Sequence, residues 1–221
     1  MIQDGEVQRP RAAPVVTWTI VILNVLIFIW DRQGHVFGVG VVFADLLMRP
    51  REVVLAALAG PDRFPLVTLF TSMFLHGSVA HIVGNMLFLL VFGPEVEEAI
   101  GSYRFALYYF FWGLVAWASQ IYIDPRSTVP TLVASGAIGG VLGCYFLLFP
   151  SRKVDLLFFP IEISAWIFLG LWFLYQIFSP TEGVANWAHV GGFTAGMATV
   201  LIAGGRAKLL RGRTDLEPDY V

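Results

Sequence analysis

The sequence predicts an all-α membrane protein with six transmembrane helices and both termini in the cytoplasm. Hydrophobic residues make up 57% of the 221 residues and charged residues 14%. The mean hydropathy is +0.72, whereas soluble domains are about one-quarter charged. Six segments approach the ~20 apolar residues that cross a bilayer, and Lys and Arg are divided unevenly between the two sides that six spans create.

The predicted spans lie between an N-terminal segment, residues 1–14, and a polar tail, residues 206–221. They cover residues 15–30, 79–92, 105–123, 132–149, 161–178 and 187–203. The membrane domain is therefore predicted to occupy residues 15–205. The connection 32–78 mixes apolar and charged residues and is interrupted by Pro50, Pro61 and Pro65, which predicts a loop at the membrane surface and not a further span.

Charge sets the predicted orientation and excludes some partners. Nine Lys and Arg residues fall on the side that holds both termini and five on the other, which predicts that both termini are cytoplasmic and that loop 32–78 is extracytoplasmic. We expect a cell (inner) membrane location, with the lipid bilayer as one partner. The net charge of -2 gives no support for a nucleic-acid partner, and no sequence feature indicates an oligomeric state.

Cysteine and metal motifs are scarce. The single cysteine, Cys144, cannot form an internal disulfide, and it is interpreted as a small packed residue. The sequence contains no HExxH or paired CxxC motif. We therefore expect neither a metal nor another cofactor.

Four polar residues within the predicted spans are candidates for function, because such groups cost free energy in lipid unless they are paired or used. They are His81, Asn85, Ser135 and His189. Counted from Glu95, Phe149 and Ala203, which we take as cytoplasmic ends, the serine and both histidines lie 14 residues deep, or roughly 21 Å at ~1.5 Å per residue. Asn85 lies one turn closer to that end, at roughly 15 Å. All four are predicted to occupy one layer beneath the extracytoplasmic surface.

Glycine spacing predicts which helices touch. The glycines are Gly136, Gly140 and Gly143 in the fourth span and Gly192 and Gly196 in the sixth. Small residues four apart let helices approach closely in lipid, and contact between these faces would bring Ser135 to His189. A serine hydroxyl becomes a useful nucleophile when such a base is adjacent. The plainer interpretation is that Ser135 is a packing residue or an N-cap and that His189 is a core residue.

His81 and Asn85 share a helix face at i and i+4, and each can donate a hydrogen bond to a developing oxyanion. A helix that begins at Ser135 also leaves its first backbone N–H groups free. Donors placed in this way commonly lower a barrier by about 3 kcal/mol each. The alternative is that His81 and Asn85 only link helices. For the nearby His76 we expect a structural role in the loop.

Three stretches resemble the motifs of the rhomboid intramembrane serine proteases. The first stretch is residues 70–105: HIVGN at 81–85 is similar to the HxxxN of the family's second span, and Glu97 with Gly101 is similar to the ExxxG that closes the following turn. Residues 134–143, ASGAIGGVLG, resemble the GxSG region of the nucleophile, and residues 188–196, AHVGGFTAG, resemble HxxGxxxG. The resemblance covers about residues 65–205.

This resemblance implies a nucleophile, Ser135, and a general base, His189, that form a dyad without an aspartate. It implies an oxyanion hole made by His81, Asn85 and the Ser135 amide. The implied substrates are single-pass transmembrane proteins whose helix enters laterally and is cut near its extracytoplasmic end.

The chain departs from the family pattern at three places. Val133 replaces the first glycine of GxSG, Gly139 replaces an aromatic residue that stacks on the histidine in some members, and Val67 with Thr68 replaces a Trp-Arg pair. These departures affect the expected rate and substrate choice. One alternative is a proteolytically inactive rhomboid-like protein that binds transmembrane helices. A small transporter or channel is a second alternative, although its usual paired ions and broken helices are missing apart from the buried start of the fourth span.

Overall fold

The computed structural model describes residues 13–38, 40–58, 60–155, 162–179 and 184–211, and these are mostly helical, as predicted. The helices are α1 (Val15–Asp31), α2 (Pro50–Leu58), α3 (Phe64–Thr71), α4 (Val79–Ile100), α5 (Ser102–Ile123), α6 (Ala134–Leu148), α7 (Ala165–Phe178), α8 (Asn186–Ile202) and α9 (Arg206–Leu209). A 3-10 turn at Ala44–Leu46 precedes α2, and strands β1 (Lys153–Asp155) and β2 (Glu162–Ser164) pair antiparallel. Most of the predicted segment 1–14 and tail 206–221 lies outside the described residues.

Within the described part of the chain, α4 is the one helix whose length and apolar composition suffice to cross a membrane. The helices α1, α6 and α7 are apolar but have 17 residues or fewer. The 15 residues of α6 extend about 22 Å, which is less than the ~30 Å hydrocarbon core.

Two predicted boundaries are wrong for physical reasons. The second span was predicted to end near 92, but α4 continues through Pro94 to Ile100. The polar end is accommodated because the Glu97 side chain is buried and hydrogen-bonded. The depth assigned to His81 was therefore counted from a residue that does not end the helix. The fifth span was predicted to begin at 161, but its helix, α7, begins at Ala165, because residues 162–164 form β2 and pair with β1.

The centre of the bundle is α6, which is buried along nearly its whole length and packs against α4, α5, α7 and α8. At its glycines, the α6–α8 contact is made by backbone atoms. A Cβ on Gly196 would collide with the Gly140 carbonyl oxygen, and a Cβ on Gly192 would collide with the Gly136 carbonyl oxygen. The two glycine faces therefore meet as the spacing predicts, and we call this contact the glycine seam.

Helix α1 is attached to α4 by one buried carboxylate. Glu97 accepts hydrogen bonds from the Thr17 N–H and hydroxyl, both at 2.7 Å, and from the Val16 N–H at 2.9 Å. Its other neighbour is the Ser102 hydroxyl, also at 2.7 Å. A negative group at a helix N-terminus satisfies free N–H groups and favours the helix dipole. Gly101, the last residue of the ExxxG pattern that begins at Glu97, ends α4 with a φ of 86°, a conformation that favours glycine.

Candidate active site

The glycine seam brings Ser135 and His189 into hydrogen-bond contact. Ser135 is the second residue of α6 and His189 the fourth residue of α8, and the serine Oγ lies 2.7 Å from the histidine Nε2. The N-cap of α6 is Val133, and no side chain caps the helix. The interpretation of Ser135 as an N-cap is therefore wrong. The pair has the geometry that a serine nucleophile and its base require.

A glutamine that the sequence analysis missed lies on the far side of the histidine. Gln176 Oε1, from α7, is 2.7 Å from His189 Nδ1 and accepts a hydrogen bond from Asn186 Nδ2 at 2.9 Å. Both amide side chains are buried. The available signal was an uncharged amide within an apolar helix, since such a group needs a partner in lipid.

The aromatic contact that Gly139 cannot make comes from another helix. The Trp172 ring, one turn before Gln176 in α7, lies 5.7 Å from the His189 ring at an interplanar angle of 41°. At position 139 there is no room for such a ring, because even a Cβ would lie 3.1 Å from the His189 carbonyl oxygen. The aromatic neighbour is therefore supplied across the helix interface.

Val133, where the resemblance expects glycine, sits without backbone strain. Its φ is -124°, which any L-residue adopts. Its N–H donates to the Ser72 carbonyl at 3.1 Å, and its carbonyl accepts from the Gly136 N–H at 3.0 Å. The side chain is fully buried. The glycine of the family motif is therefore not required by the backbone conformation of this chain.

His81 and Asn85 face the same cavity as Ser135 and His189. The cavity has a volume of about 690 Å³, and all four side chains line it. The Asn85 Nδ2 donor is buried and has no hydrogen-bond acceptor among the described residues. The His81 ring is half-buried, and its Nδ1 accepts from the Gly77 N–H at 3.4 Å. The structure thus brings all four candidate residues to one site.

The Ser135 N–H also lies at this cavity-facing end of α6. The neighbouring Gly136 and Ala137 N–H groups both donate to the Val133 carbonyl, at 3.0 and 3.3 Å. Within the described chain, no backbone carbonyl accepts from Ser135 itself. This matches the free N–H groups expected in the first turn of a helix.

A buried polar group stands behind His81. The His76 ring is fully buried and lies 5.2 Å from the His81 ring in an edge contact. Burial lowers the pKa of His76 to about 3, with further lowering by His81 and Arg32. Arg32, also buried, donates from Nη2 to the His76 carbonyl at 2.6 Å. The turn that precedes α4 is therefore tied to the end of α1, which agrees with a structural role for His76.

Metal ligands are not grouped in the described part of the chain. Its His, Cys, Asp and Glu side chains form no cluster of three or more that could hold an ion. Cys144 is buried within α6, and burial in the core matches its interpretation as a packed residue.

Comparison with known proteins gives consistent family matches. A family model described as Rhomboid domain matches residues 63–206. Rhomboid protein 1, mitochondrial, of Saccharomyces cerevisiae is 30% identical over 142 residues, which is 59% of this chain and 40% of that relative. Rhomboid protease GluP of Bacillus subtilis is 32% identical over 129 residues, 58% of this chain and 24% of the relative.

The relatives include proteins whose names describe different activities. Inactive rhomboid protein 1 of Bos taurus is 30% identical over 139 residues, 62% of this chain and 15% of the relative. The chain thus spans between 15% and 40% of the length of these three relatives. The names thus describe a protease in one case and an inactive protein in another.

Proposed function

The chain belongs to the rhomboid family, which is membrane-embedded, and we propose that it is an intramembrane serine endopeptidase. The observation that carries the proposal is the 2.7 Å contact between Ser135 Oγ and His189 Nε2 at the wall of a 690 Å³ cavity. A serine paired with a base in a cavity is the arrangement that activates the hydroxyl for acyl transfer. The catalytic unit is a Ser-His dyad and uses no cofactor.

In the proposed reaction, Ser135 Oγ attacks the carbonyl carbon of a peptide bond while its proton passes to His189 Nε2. The tetrahedral intermediate then collapses as His189 returns that proton to the leaving amine, and an ester on Ser135 remains. Water attacks the ester, again losing a proton to His189. Hydrolysis releases the second product and restores the serine hydroxyl.

Three donors would stabilise the oxyanion of the tetrahedral intermediates. They are Asn85 Nδ2, the His81 ring and the Ser135 N–H. The buried, unpartnered state of Asn85 Nδ2 among the described residues supports this role, because a donor without an acceptor costs free energy in the resting protein. Such preorganised donors act most strongly in a site from which water is excluded.

We propose six spans with both termini in the cytoplasm and an inner-membrane location. The nine-to-five division of Lys and Arg supports that orientation. The proposed substrates are single-pass transmembrane proteins whose helix enters laterally, unwinds and is cut near its extracytoplasmic end. Unwinding is needed because a helix hides its carbonyl carbons within its own hydrogen bonds.

The test is labelling of the full chain in detergent by a fluorophosphonate probe. Wild type is expected to be labelled, while Ser135→Ala and His189→Ala are expected to lose the label. Ser127→Ala is a matched control, because Ser127 lines the same cavity but its hydroxyl accepts from the Val129 N–H. Equal labelling of wild type and Ser135→Ala would overturn the assignment of the nucleophile.

The second candidate function is a proteolytically inactive protein that binds transmembrane helices. It is favoured by the relative named as an inactive rhomboid protein. Folded, monodisperse wild type that fails to label and fails to cleave a model transmembrane substrate would favour this function over the protease.

A further inference from the structure

We infer that Gln176 is the positioning residue of this site: it holds His189 in the tautomer that leaves Nε2 free to accept the Ser135 proton. The inference deepens the proposed protease function and relies on it for its catalytic consequence. Its structural content, the tautomer of one histidine, can be tested separately. Neither a charged third member nor an aspartate is involved.

The hydrogen-bond chain assigns the proton. Asn186 Nδ2 can only donate, so the Gln176 atom that it contacts at 2.9 Å is the carbonyl oxygen, an acceptor. The same oxygen lies 2.7 Å from His189 Nδ1, and two acceptors cannot share a hydrogen bond. Nδ1 therefore carries the proton. In a neutral imidazole the other nitrogen, Nε2, is then the acceptor for the Ser135 hydroxyl at 2.7 Å.

With Asn186 Nδ2 directed at Gln176, the amide orientation of Gln176 is set by that of Asn186. If the amide were flipped, its NH₂ group would face the NH₂ group of Asn186, and one buried donor would lose its acceptor. That loss is unfavourable because a buried polar group without a partner keeps its full desolvation penalty. Gln176 and Asn186 are only 6% and 4% exposed, so water has little access to replace the missing bond. Asn186 thus selects the orientation of Gln176, and Gln176 selects the tautomer of His189.

Helix α7 supplies both supports of the base. Gln176 and Trp172 are four residues apart, so they share one face of the helix, and both contact His189. The amide fits this environment because it accepts a hydrogen bond without a charge, whereas a carboxylate in the membrane carries a large cost. A neutral acceptor also holds the imidazole less tightly than an anion would.

Gln120 provides the matched control. It lines the same cavity from α5, and its Oε1 atom is buried with no hydrogen-bond donor among the described residues. Among the described residues Gln120 makes no hydrogen bond to His189. Replacing Gln120 by Met therefore changes the polarity of the cavity but leaves the hydrogen bond between Gln176 and His189 in place.

The direct experiment is ¹⁵N NMR of the full chain, labelled in its four histidines, in lipid bilayers at neutral pH. Protonated and unprotonated ring nitrogens have distinct shifts, and single substitution of each histidine assigns the signals. Wild-type His189 is expected to be protonated at Nδ1. In Gln176→Met, which keeps the volume and loses the acceptor, the Nε2–H form is expected to appear. His189 protonated at Nε2 in wild type would overturn the inference.

Rates of fluorophosphonate labelling give the functional readout. Gln176→Met is expected to be slower by roughly 10²-fold, less than the ~10⁴-fold that a wrong tautomer costs in a charged triad. Gln176→Glu keeps a side-chain oxygen at the same distance from the backbone, and it should label at least tenfold faster than Gln176→Met. Gln120→Met should label within about twofold of the wild-type rate. Equal rates in Gln176→Met and Gln120→Met would overturn the positioning role.

The two proposals fail in different ways. If wild type shows no Ser135-dependent labelling while His189 is protonated at Nδ1, the protease proposal is rejected and the tautomer assignment stands. Ser135-dependent labelling together with an Nε2–H histidine would reject the role of Gln176 and leave the protease standing.

Discussion

The two halves of the site are built differently. On the α6–α8 half, the serine, histidine, glutamine and asparagine form an unbroken hydrogen-bond chain on a contact of backbone against backbone. On the α4 half, Asn85 Nδ2 is buried without a hydrogen-bond partner among the described residues. Ser135 and His189 are thus held in one arrangement by groups already present, whereas the α4 half keeps donor capacity unused.

This difference predicts that the two halves respond differently to substitution. A backbone contact cannot adjust when a side chain is added, because no rotamer can move aside. A donor that has no partner contributes little to folding and can be removed at small cost in stability. We therefore expect variants of the glycine seam to affect the fold and variants of the α4 half to affect the rate.

The largest effect is expected from Gly196→Ala. Its Cβ would collide with the Gly140 carbonyl oxygen, so α6 and α8 must separate and the whole α6–α8 half is disrupted. Overpacking of about 3 kcal/mol or more corresponds to a Tm lowered by roughly 10 °C in a chain of this length. Thermal unfolding in detergent measures the change.

Gly170→Ala is the matched control for the seam. Gly170 lies within α7 and a Cβ there would meet only the Phe146 ring, at an ordinary 3.7 Å. Its Tm is expected to stay within about 3 °C of wild type. Similar losses in both variants would show that the seam is no tighter than other helix contacts.

The next effect is expected from Asn85→Ala on the α4 half. Removal of one oxyanion donor should lower kcat by about 10²-fold with Tm nearly unchanged, since Nδ2 has no acceptor to lose within the described chain. Cleavage of a model transmembrane substrate measures the rate. The control is Asn24→Ala in α1, a buried asparagine bonded to the Ile20 carbonyl, which should affect Tm and not kcat. Unchanged turnover in Asn85→Ala would exclude it from the oxyanion hole.

Sequence patterns predicted the first half of the site better than its supports. Glycines at four-residue spacing indicate a close helix contact whatever its partner, and they correctly brought Ser135 to His189. The place of Gln176 depends on how α7 packs against α8, and no spacing within α7 encodes that contact. The end of α4 was also missed, because the sequence showed the charge of Glu97 but not the Thr17 and Val16 donors, some eighty residues away, that satisfy it.

The third effect concerns pH and the support behind His81. Burial, His81 and Arg32 lower the pKa of His76 from 6.5 to about 3. Between these two pH values the His76 ring is therefore neutral in the folded protein and protonated in the unfolded chain. Stability is therefore complete above pH 6.5 and is lost as pH falls toward 3, by up to ~1.4 kcal/mol for each pH unit.

His76→Leu should remove this loss, so that Tm falls less between pH 6.5 and 4.5 than it does in wild type. His35→Leu, at an exposed position, is the control and should follow the wild-type curve. Identical curves for wild type and His76→Leu would show that His76 does not couple folding to pH.

The smallest effect is expected from Trp172→Leu, which separates packing from hydrogen bonding on the α6–α8 half. The indole lies 5.7 Å from the His189 ring and 6.0 Å from the Phe193 ring, and aromatic pairs contribute about 0.5–1.5 kcal/mol beyond their buried area. Since 1.4 kcal/mol is tenfold in rate, labelling should slow by about fivefold. Trp172→Phe should stay within about twofold. Trp166→Leu, at an exposed position of the same helix, should not change the rate. A loss in Trp172→Leu as large as that in Gln176→Met would mean that ring packing orients the base as strongly as the hydrogen-bond chain does.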